Sequence, residues 1–535
     1  MLMCMPLWSV AQTEATDAVE QTAGTTSSLS EALSGLTSRS FKEKESAIEK
    51  LAVIDDPAVL PILKVMLDGK LHYVKETGEV VFVEKTEEGY EITHAETGEV
   101  IGTVSKSKLK KIIVNNKMRR QLRGEIAQLS IRNPDADIRM AAVQEIVKNI
   151  DEQSVAILEK LVAREKDSDI LELANVGLAL WYVQSEDKVT RLAAINTMAD
   201  SLMPSVKASL ENILETDSDL EVKAATRRAL GKIEEKIKYY AFLENLIFGL
   251  SLGSILLLIA IGLSITFGVM GVINMAHGEL MMLGAYTTFV VQQMMPNYIN
   301  TSIFVAIPLA FLVAGFVGIL IERFVIRFLY GRALETLLAT FGISLILQQL
   351  VRSIFGPTNQ AVETPSFMSG SLEINSIFAI TYNRLYIFIF AMLVFAILLL
   401  ILKKTRLGLQ VRAVAQNRAM AKAMGVRSEW VDALTFGLGS GIAGVAGVAL
   451  SQLTNVGPNL GQAYIIDSFM VVVFGGVGNL WGTVVGGLSL GVLNKFLEPW
   501  SGAVMAKILV LVLIILFIQK RPRGLFPQKG RAAEN

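Results

Sequence analysis

The stretch 253–292 reads GSILLLIAIGLSITFGVMGVINMAHGELMMLGAYTTFVVQ. Ile255–Phe267 is apolar apart from Gly262, Ser264 and Thr266. With Leu243–Leu252 it makes about 25 residues, enough to cross a hydrocarbon core of about 30 Å at about 1.5 Å rise per residue. Polar side chains then arrive at membrane depth. Asn274, His277 and Glu279 sit among Gly268, Gly271 and Gly278 before apolar sequence resumes at Leu280. Such groups are costly in lipid unless they face protein or a water-filled route, and glycines there permit broken or closely packed backbone. The pattern predicts the wall of a conduit, with Asn274 and His277, three apart, sharing a helical face.

Working outward, the 535 residues exceed one ordinary domain, and 52% of them are hydrophobic, as in an integral membrane protein. The formal net charge is zero, so no global field favours nucleic acid. Charged residues crowd 12–240, and long apolar runs fill 243–519. The one cysteine, Cys4, excludes a disulfide framework and a cysteine-based zinc site.

The N-terminal portion reads in three parts. Residues 1–11 (MLMCMPLWSVA) are apolar and end in Ser-Val-Ala, which fits a signal-peptide remnant without its usual basic start. Residues 12–240 then read as a soluble helical domain outside the cytoplasm. Its helices recur loosely as DADIRMAAVQEI (135–146), EDKVTRLAAINTM (186–198) and DSDLEVKAATRRAL (217–230), with one apolar face each. This is similar to HEAT-like repeats, the other reading being an irregular helical bundle. An insertion at about 71–114 alternates apolar and polar residues between Glu-Thr-Gly and Glu-Glu-Gly turns, predicting three or four antiparallel strands. His72 and His94 fall within it as polar surface positions, with no metal-type spacing.

Residues 241–535 form the transmembrane domain. The hydropathy pattern predicts about nine spans: 243–267, 270–294, 302–326, 334–355, 383–402, 431–453, 465–480, 482–497 and 503–519, the two around Gly475–Gly491 being short. Arg323, Arg327 and Arg332, the basic run 403–427, and Lys520, Arg521 and Arg523 place two loops and the C-terminus in the cytoplasm, and 356–382, without Lys or Arg, outside.

The segments GLSLGS (249–254) and GVINMAHGELMMLGAY (271–286) resemble the permease subunits of branched-chain amino acid ABC importers, and most of all the urea-type permeases of that family. The resemblance covers roughly 240–530, and the long soluble region ahead of it also fits the urea type. It implies an all-α polytopic importer permease, preceded here by the helical domain with its β insertion, in a bacterial inner membrane. The implied partners are a second, related permease subunit, two ATPase subunits and an external binding protein. The chain itself would bind no cofactor, ATP being held by the partner ATPases. The implied cargo is urea or a short amide, the alternatives being a branched-chain amino acid or an ATP-independent urea channel.

Three groups of residues follow. Asn274, His277 and Glu279 offer neutral donors and acceptors to a small polar solute, or else cap a broken helix. Gly478, Asn479, Gly482 and Gly486, in FGGVGNLWGTVVGGLSLG (474–491), line either a path or a close helix contact, and Gly437, Gly441, Gly444 and Gly447 make a similar stripe. The basic loop 403–430 predicts one helix from Leu409 to Met424 closing at Gly425. Arg412, Gln416, Asn417, Arg418 and Gly425 fall where the resemblance places ATPase coupling. The chain has no G-x-x-x-x-G-K-[ST] motif, no HExxH and no Ser-His-Asp set, which argues against an enzyme.

Overall fold

The computed structural model describes residues 29–526 apart from 55, 87, 88 and 149, so the signal-like 1–11 lies outside the described residues. Two units are present, one ending at Glu235 and one starting at Lys236.

In the first unit, helices α1 (Phe41–Val53) and α2 (Val59–Leu67) bury Ile48, Leu51, Ile62, Leu63 and Met66 completely. Strands β1 (His72–Val74), β2 (Val80–Thr86), β3 (Gly89–His94), β4 (Val100–Val104) and β5 (Leu109–Lys111) follow. They form one antiparallel sheet in the order β4-β3-β2-β1-β5. The sheet has five strands, not three or four. Leu109–Lys111 pairs on the free edge of β1, and a three-residue strand carrying two lysines is too short to show an alternation. His72 and His94 both use Nδ1 against local backbone, on the Lys70 carbonyl and on the Glu96 and Thr97 amides.

The helices α3 (Asn116–Ile131), α4 (Ala136–Lys148), α5 (Glu152–Val162), α6 (Ser168–Tyr182), α7 (Lys188–Met198), α8 (Pro204–Thr216) and α9 (Leu220–Met270) complete the series. Asn115, Asp151, Asp167 and Asp187 cap α3, α5, α6 and α7 by accepting from first-turn amides. Val143, Leu158, Ile170 and Ala174 make a core between α4, α5 and α6.

One bracket recurs. Arg139 donates from Nε and Nη2 to Glu165 at 2.8 and 3.0 Å, and from Nη1 to the carbonyls of Asn133 and Pro134. The Arg139 guanidinium, followed by the amides of Asp167 and Lys166, holds the Glu165 carboxyl down at about 2. Arg191 repeats the arrangement, donating to the carbonyls of Ser185 and Glu186 and pairing with Asp217 at 3.0 Å. The starts of α7, α8 and α9 at Lys188, Pro204 and Leu220 follow those of α4, α5 and α6 at Ala136, Glu152 and Ser168 with a constant offset of 52. The acid follows its arginine by 26 positions each time.

In the second unit the remaining helices are α10 (His277–Met294), α11 (Ile299–Phe324), α12 (Ala333–Phe355), α13 (Tyr382–Lys404), α14 (Arg406–Gln416), α15 (Arg418–Ala423), α16 (Ser428–Ser451), α17 (Leu460–Gly475) and α18 (Leu480–Lys520). A hairpin of β6 (Ser371–Asn375) and β7 (Phe378–Thr381) precedes α13. Among the described residues six helices, not nine, are long and apolar enough to cross a membrane: α9, α11, α12, α13, α16 and α18. The difference has three causes. The predicted span 270–294 starts only at His277 because the backbone breaks at Gly271, whose φ is +66°. The span 465–480 becomes the 16-residue α17. The spans 482–497 and 503–519 both fall within the one range Leu480–Lys520 of α18, although the non-helical Gly502, with φ 78° and ψ 161°, separates two helical segments there.

The centre of this unit is α16, with 89% of its apolar window buried. Its stripe of small residues brings backbone against backbone. A Cβ on Gly444 would lie 2.5 Å from the Ala310 carbonyl of α11, and one on Gly439 2.7 Å from the Gly262 carbonyl of α9. Gly447 faces the Met281–Ala285 turn of α10 at the same closeness. The connections gather at two ends. At one, Gln292 bonds Glu363, Asn300 caps Ser366, and Gln360 bridges to Val456. At the other lie the arginine-rich connections: Arg327 pairs with Glu429 at 3.0 Å, and Arg323 stacks on Trp430.

The contact at Gly447 sets an expectation. Gly447→Leu forces α10 and α16 apart, an overpacking cost of about 1–3 kcal/mol or more. Monodisperse yield and melting temperature in detergent are expected to fall. Gly342→Leu, at a site with open space around it, is expected to leave both near the parent values.

Candidate functional site

The buried polar residues concentrate where α9 breaks and α10 begins. The Gly271 amide closes α9 on the Phe267 carbonyl, and 272–274 run without regular structure. Asn274 turns the chain into α10: its Oδ1 accepts from the Ala276 amide at 3.0 Å and its carbonyl from the His277 amide at 3.4 Å. Asn274 therefore precedes the helix that His277 opens, and the two do not share a helical face. From α12, Thr340 Oγ1 accepts from the Met275 amide, and its one proton lies between its own helix's Leu337 carbonyl at 3.0 Å and the Ile273 carbonyl at 3.4 Å. A break inside the apolar layer thus has its backbone groups met by a neighbouring helix.

His277 reaches back to α9, where its Nε2 lies 3.0 Å from the Ile259 carbonyl. A carbonyl only accepts, so Nε2 carries the proton and Nδ1 is left as an acceptor. Gly262 makes the room: a Cβ there would stand 2.9 Å from the ring. Glu279, in the first turn of α10, accepts through Oε1 from Ser344 Oγ at 2.7 Å and Gln348 Nε2 at 2.6 Å. Its Oε2 packs on the backbone at Gly461 of α17. All three side chains are buried, and among the described residues Asn274 Nδ2, His277 Nδ1 and Glu279 Oε2 each lack a hydrogen-bond partner. Ser264, Tyr286 and Ser440 contribute further unpartnered hydroxyls.

The glycine group stands apart from these. Asn479 Oδ1 caps α18 by accepting from the Trp481 and Gly482 amides, and its Nδ2 donates to the Phe526 carbonyl. Gly478, with φ +75°, lies against Gly268 of α9. Gly482 and Gly486 lie against Gly475 and Val471 of α17.

The basic segment is two helices rather than one. Asn417, extended at φ −157°, ends α14 and caps α15 by accepting from the Met420 amide. A side chain that can satisfy first-turn amides competes with helix continuation, which is why the chain restarts there. Gly425 closes α15 with φ +89°. Arg418 is bound internally: it forms a bidentate pair with the buried Asp432 of α16 at 2.7 and 2.8 Å and lies 4.0 Å over the Tyr330 ring. Arg412 donates to the Leu402 carbonyl. Gln416 and Asn417 are exposed, and so are Leu409, Met420 and Met424, at 60–78%.

Ser344, Gln348 and Asp432 were not singled out from the sequence. Each partner lies far from its group along the chain or at the edge of an apolar run. A polar stripe Thr336, Thr340, Ser344, Gln348 at four-residue spacing along α12 was the available signal.

A bundle of six long apolar helices around buried polar side chains, with a basic helical segment at one end, defines a multi-pass membrane transport subunit. Residues 245–518 match the family model described as "Branched-chain amino acid transport system / permease component". The chain belongs to this family of ABC transporter permeases. It is 32% identical over 295 residues to the high-affinity branched-chain amino acid transport system permease protein BraD of Pseudomonas aeruginosa, covering 54% of this chain and 96% of the relative. It is 32% identical over 309 residues to the corresponding LivH protein of Escherichia coli, with the same coverage. A probable branched-chain amino acid transport permease protein LivH of Methanocaldococcus jannaschii is 26% identical, over 51% of this chain and 88% of that one. No solved structure matches.

The Glu279 contacts yield an expectation. Gln348→Leu removes one of two donors to a buried carboxylate, a loss of about 1–3 kcal/mol. The melting temperature of the purified chain is expected to drop, and Ser344→Ala combined with it to lower it further. A melting temperature unchanged by the double variant would show that Glu279 does not depend on α12.

Proposed function

We propose that this chain is the membrane subunit of an ATP-driven importer of a small polar solute, working with ATPase subunits, an external binding protein and a second permease subunit. The observation that carries this reading is the family match over residues 245–518. Two cargoes each have an observation behind them. The first is a branched-chain amino acid, which the names of the relatives favour. The second is urea or a short amide. Relatives matched over 96% of their own length leave almost nothing to correspond to the unit before Lys236. Such an added unit is what the resemblance to urea-type permeases implies. We assign that unit a HEAT-like fold on its recurring helices, placed outside the cytoplasm, with the arginine-rich connections inside.

Asn274, His277 and Glu279 remain our candidates for the solute route, because each keeps a buried polar atom free for a new partner when helices move. Gly478, Asn479, Gly482 and Gly486 would act there through the helix contacts they permit. Coupling is assigned to α14 and α15. Among the residues proposed for it, Arg412, Gln416, Asn417 and Gly425 are exposed, whereas Arg418 positions the segment through Asp432.

The deciding experiment is uptake in a strain lacking this chain and complemented with it. Labelled leucine and labelled urea are followed with and without ATP depletion. ATP-dependent leucine uptake supports the first cargo, ATP-dependent urea uptake the second, and uptake of urea that survives depletion would reject an importer in favour of a channel. For coupling, Met420→Asp with Met424→Asp is expected to lower ATPase copurification about tenfold while the chain stays monodisperse, since exposed apolar side chains commonly anchor an interface. Normal copurification and uptake in this double variant would remove α15 from the contact.

A further inference from the structure

The first unit contains a cleft of about 490 Å³ between the end of α3, the end of α5 and the loop that follows. Ile131, Ile157 and Leu161 supply its apolar lining, and the Arg139–Glu165 bracket closes one wall. Arg132, Lys160, Arg164 and Lys166 stand around it. All four are exposed, and none of the four side chains has a hydrogen bond or ion pair among the described residues. The nearby acids are committed elsewhere. Glu165 is held by Arg139, Asp135 accepts from the Asp137 amide, Asp167 caps α6, and Glu159 accepts from the Tyr182 hydroxyl. Among the residues that line it, the cleft therefore presents four unpaired cations and one carboxylate, Glu165, already paired with Arg139.

The second copy of the repeat provides an internal control. With the offset of 52, the bracket returns as Arg191 and Asp217, and Ile131 and Leu161 become Val183 and Ile213. The cations do not return. Arg132, Lys160, Arg164 and Lys166 correspond to Gln184, Asn212, Thr216 and Ser218. The same framework folds with four neutral side chains at these positions, so the framework does not require the charges. Four like charges gathered without partners repel one another. Their natural use is to bind an anion, because charge-assisted bonds from Arg and Lys to carboxylate or phosphate are about twice as strong as neutral ones.

We infer that this cleft binds a small organic anion carrying two or more carboxylate or phosphate groups on a short apolar body. The cations hold the anionic groups and the Ile131–Ile157–Leu161 lining takes the carbon body. A cavity of this volume falls in the range of about 300–1,000 Å³ usual for small-molecule sites. The inference is independent of the cargo and of the membrane unit.

The test uses the full chain in lipid nanodiscs at low salt, with citrate as the probe and acetate as the monovalent comparison, followed by titration calorimetry. Saturable one-site citrate binding is expected, weakening with added salt, and acetate binding is not. Lys160→Asn with Arg164→Thr installs the residues found in the second copy and is expected to raise the citrate Kd about tenfold or more. Arg119→Gln with Arg120→Gln removes the same charge from a part of α3 that does not line the cleft, and is expected to change it less than about twofold. Arg132→Gln with Lys166→Ser repeats the test at the other two positions, should the first pair unfold. The inference fails if citrate shows no saturable binding, or if the cleft and control pairs weaken it equally. It also fails if a hexaglutamate peptide binds these residues far more tightly than citrate, which would assign the cleft to an acidic partner protein.

Discussion

The membrane unit depends on how closely α16 lets other helices approach. Between apolar helices in lipid the hydrophobic effect gives little preference for protein over tail, so association rests on van der Waals contact and on polar groups that meet. Gly439, Gly444 and Gly447 let the backbones of α9, α11 and α10 touch α16 directly, and Gly315 and Gly318 of α11 repay the contact against Gly437 and Ser440. Contact at this distance is intolerant of change, because a methyl group at most of these positions meets backbone, which cannot rotate away. The helices around α16 are therefore fixed in rotation and height before any polar bond is counted.

Those fixed heights make the break between α9 and α10 tolerable. An interrupted helix exposes amides and carbonyls that water cannot reach in the apolar layer. Here Asn274 serves the start of α10 and Thr340 serves the linking backbone. His277 and Glu279 then tie the new helix to α9 and α12. Each tie crosses between helices held by the glycine contacts. The polar cluster thus fits a packed frame rather than creating one, and its three unpartnered atoms are what remains after the turn has been satisfied.

Much of this was legible in the chain. The polar interruption at 274–279 and the glycine stripes carry chemistry that apolar helices do not need, so they stand out without a structure. What was not legible depends on distant partners. Glu279 finds Ser344 and Gln348 on α12, 65 and 69 positions away. The division of 409–424 into two helices turns on one residue, Asn417, whose side chain competes for the amides of the next turn. The count of spans failed because hydropathy sees Gly502 and Gly271 alike as single residues in apolar runs. Both leave the helical region, Gly271 with φ +66° and Gly502 with φ +78°, and hydropathy reports neither. In the first unit the acid–arginine similarity between 135–146 and 186–198 was visible, but its meaning was not. Arg139 and Arg191 bind acids 26 positions on, beyond the reach of any helical spacing.

The same contacts say how a push on the basic segment would travel. Arg418 leaves α15 to grip Asp432 at the start of the second turn of α16, with both Nη atoms engaged and Tyr330 stacked behind. Asp432 is 4% exposed, so the carboxylate end of the pair is screened less than in a surface ion pair, while Arg418 stays partly exposed. Stretching it would leave a buried carboxylate without its partner, a cost of several kcal/mol. Sliding α16 past α10 requires Gly447 to climb out of the Met281–Ala285 turn. Neither contact yields gradually. A displacement of α15 is then passed to the base of α16, and from there to α9, α10 and α11 as linked bodies. The His277 and Glu279 ties join α10 to α9 and α12, so relative motion among these three helices would have to stretch them.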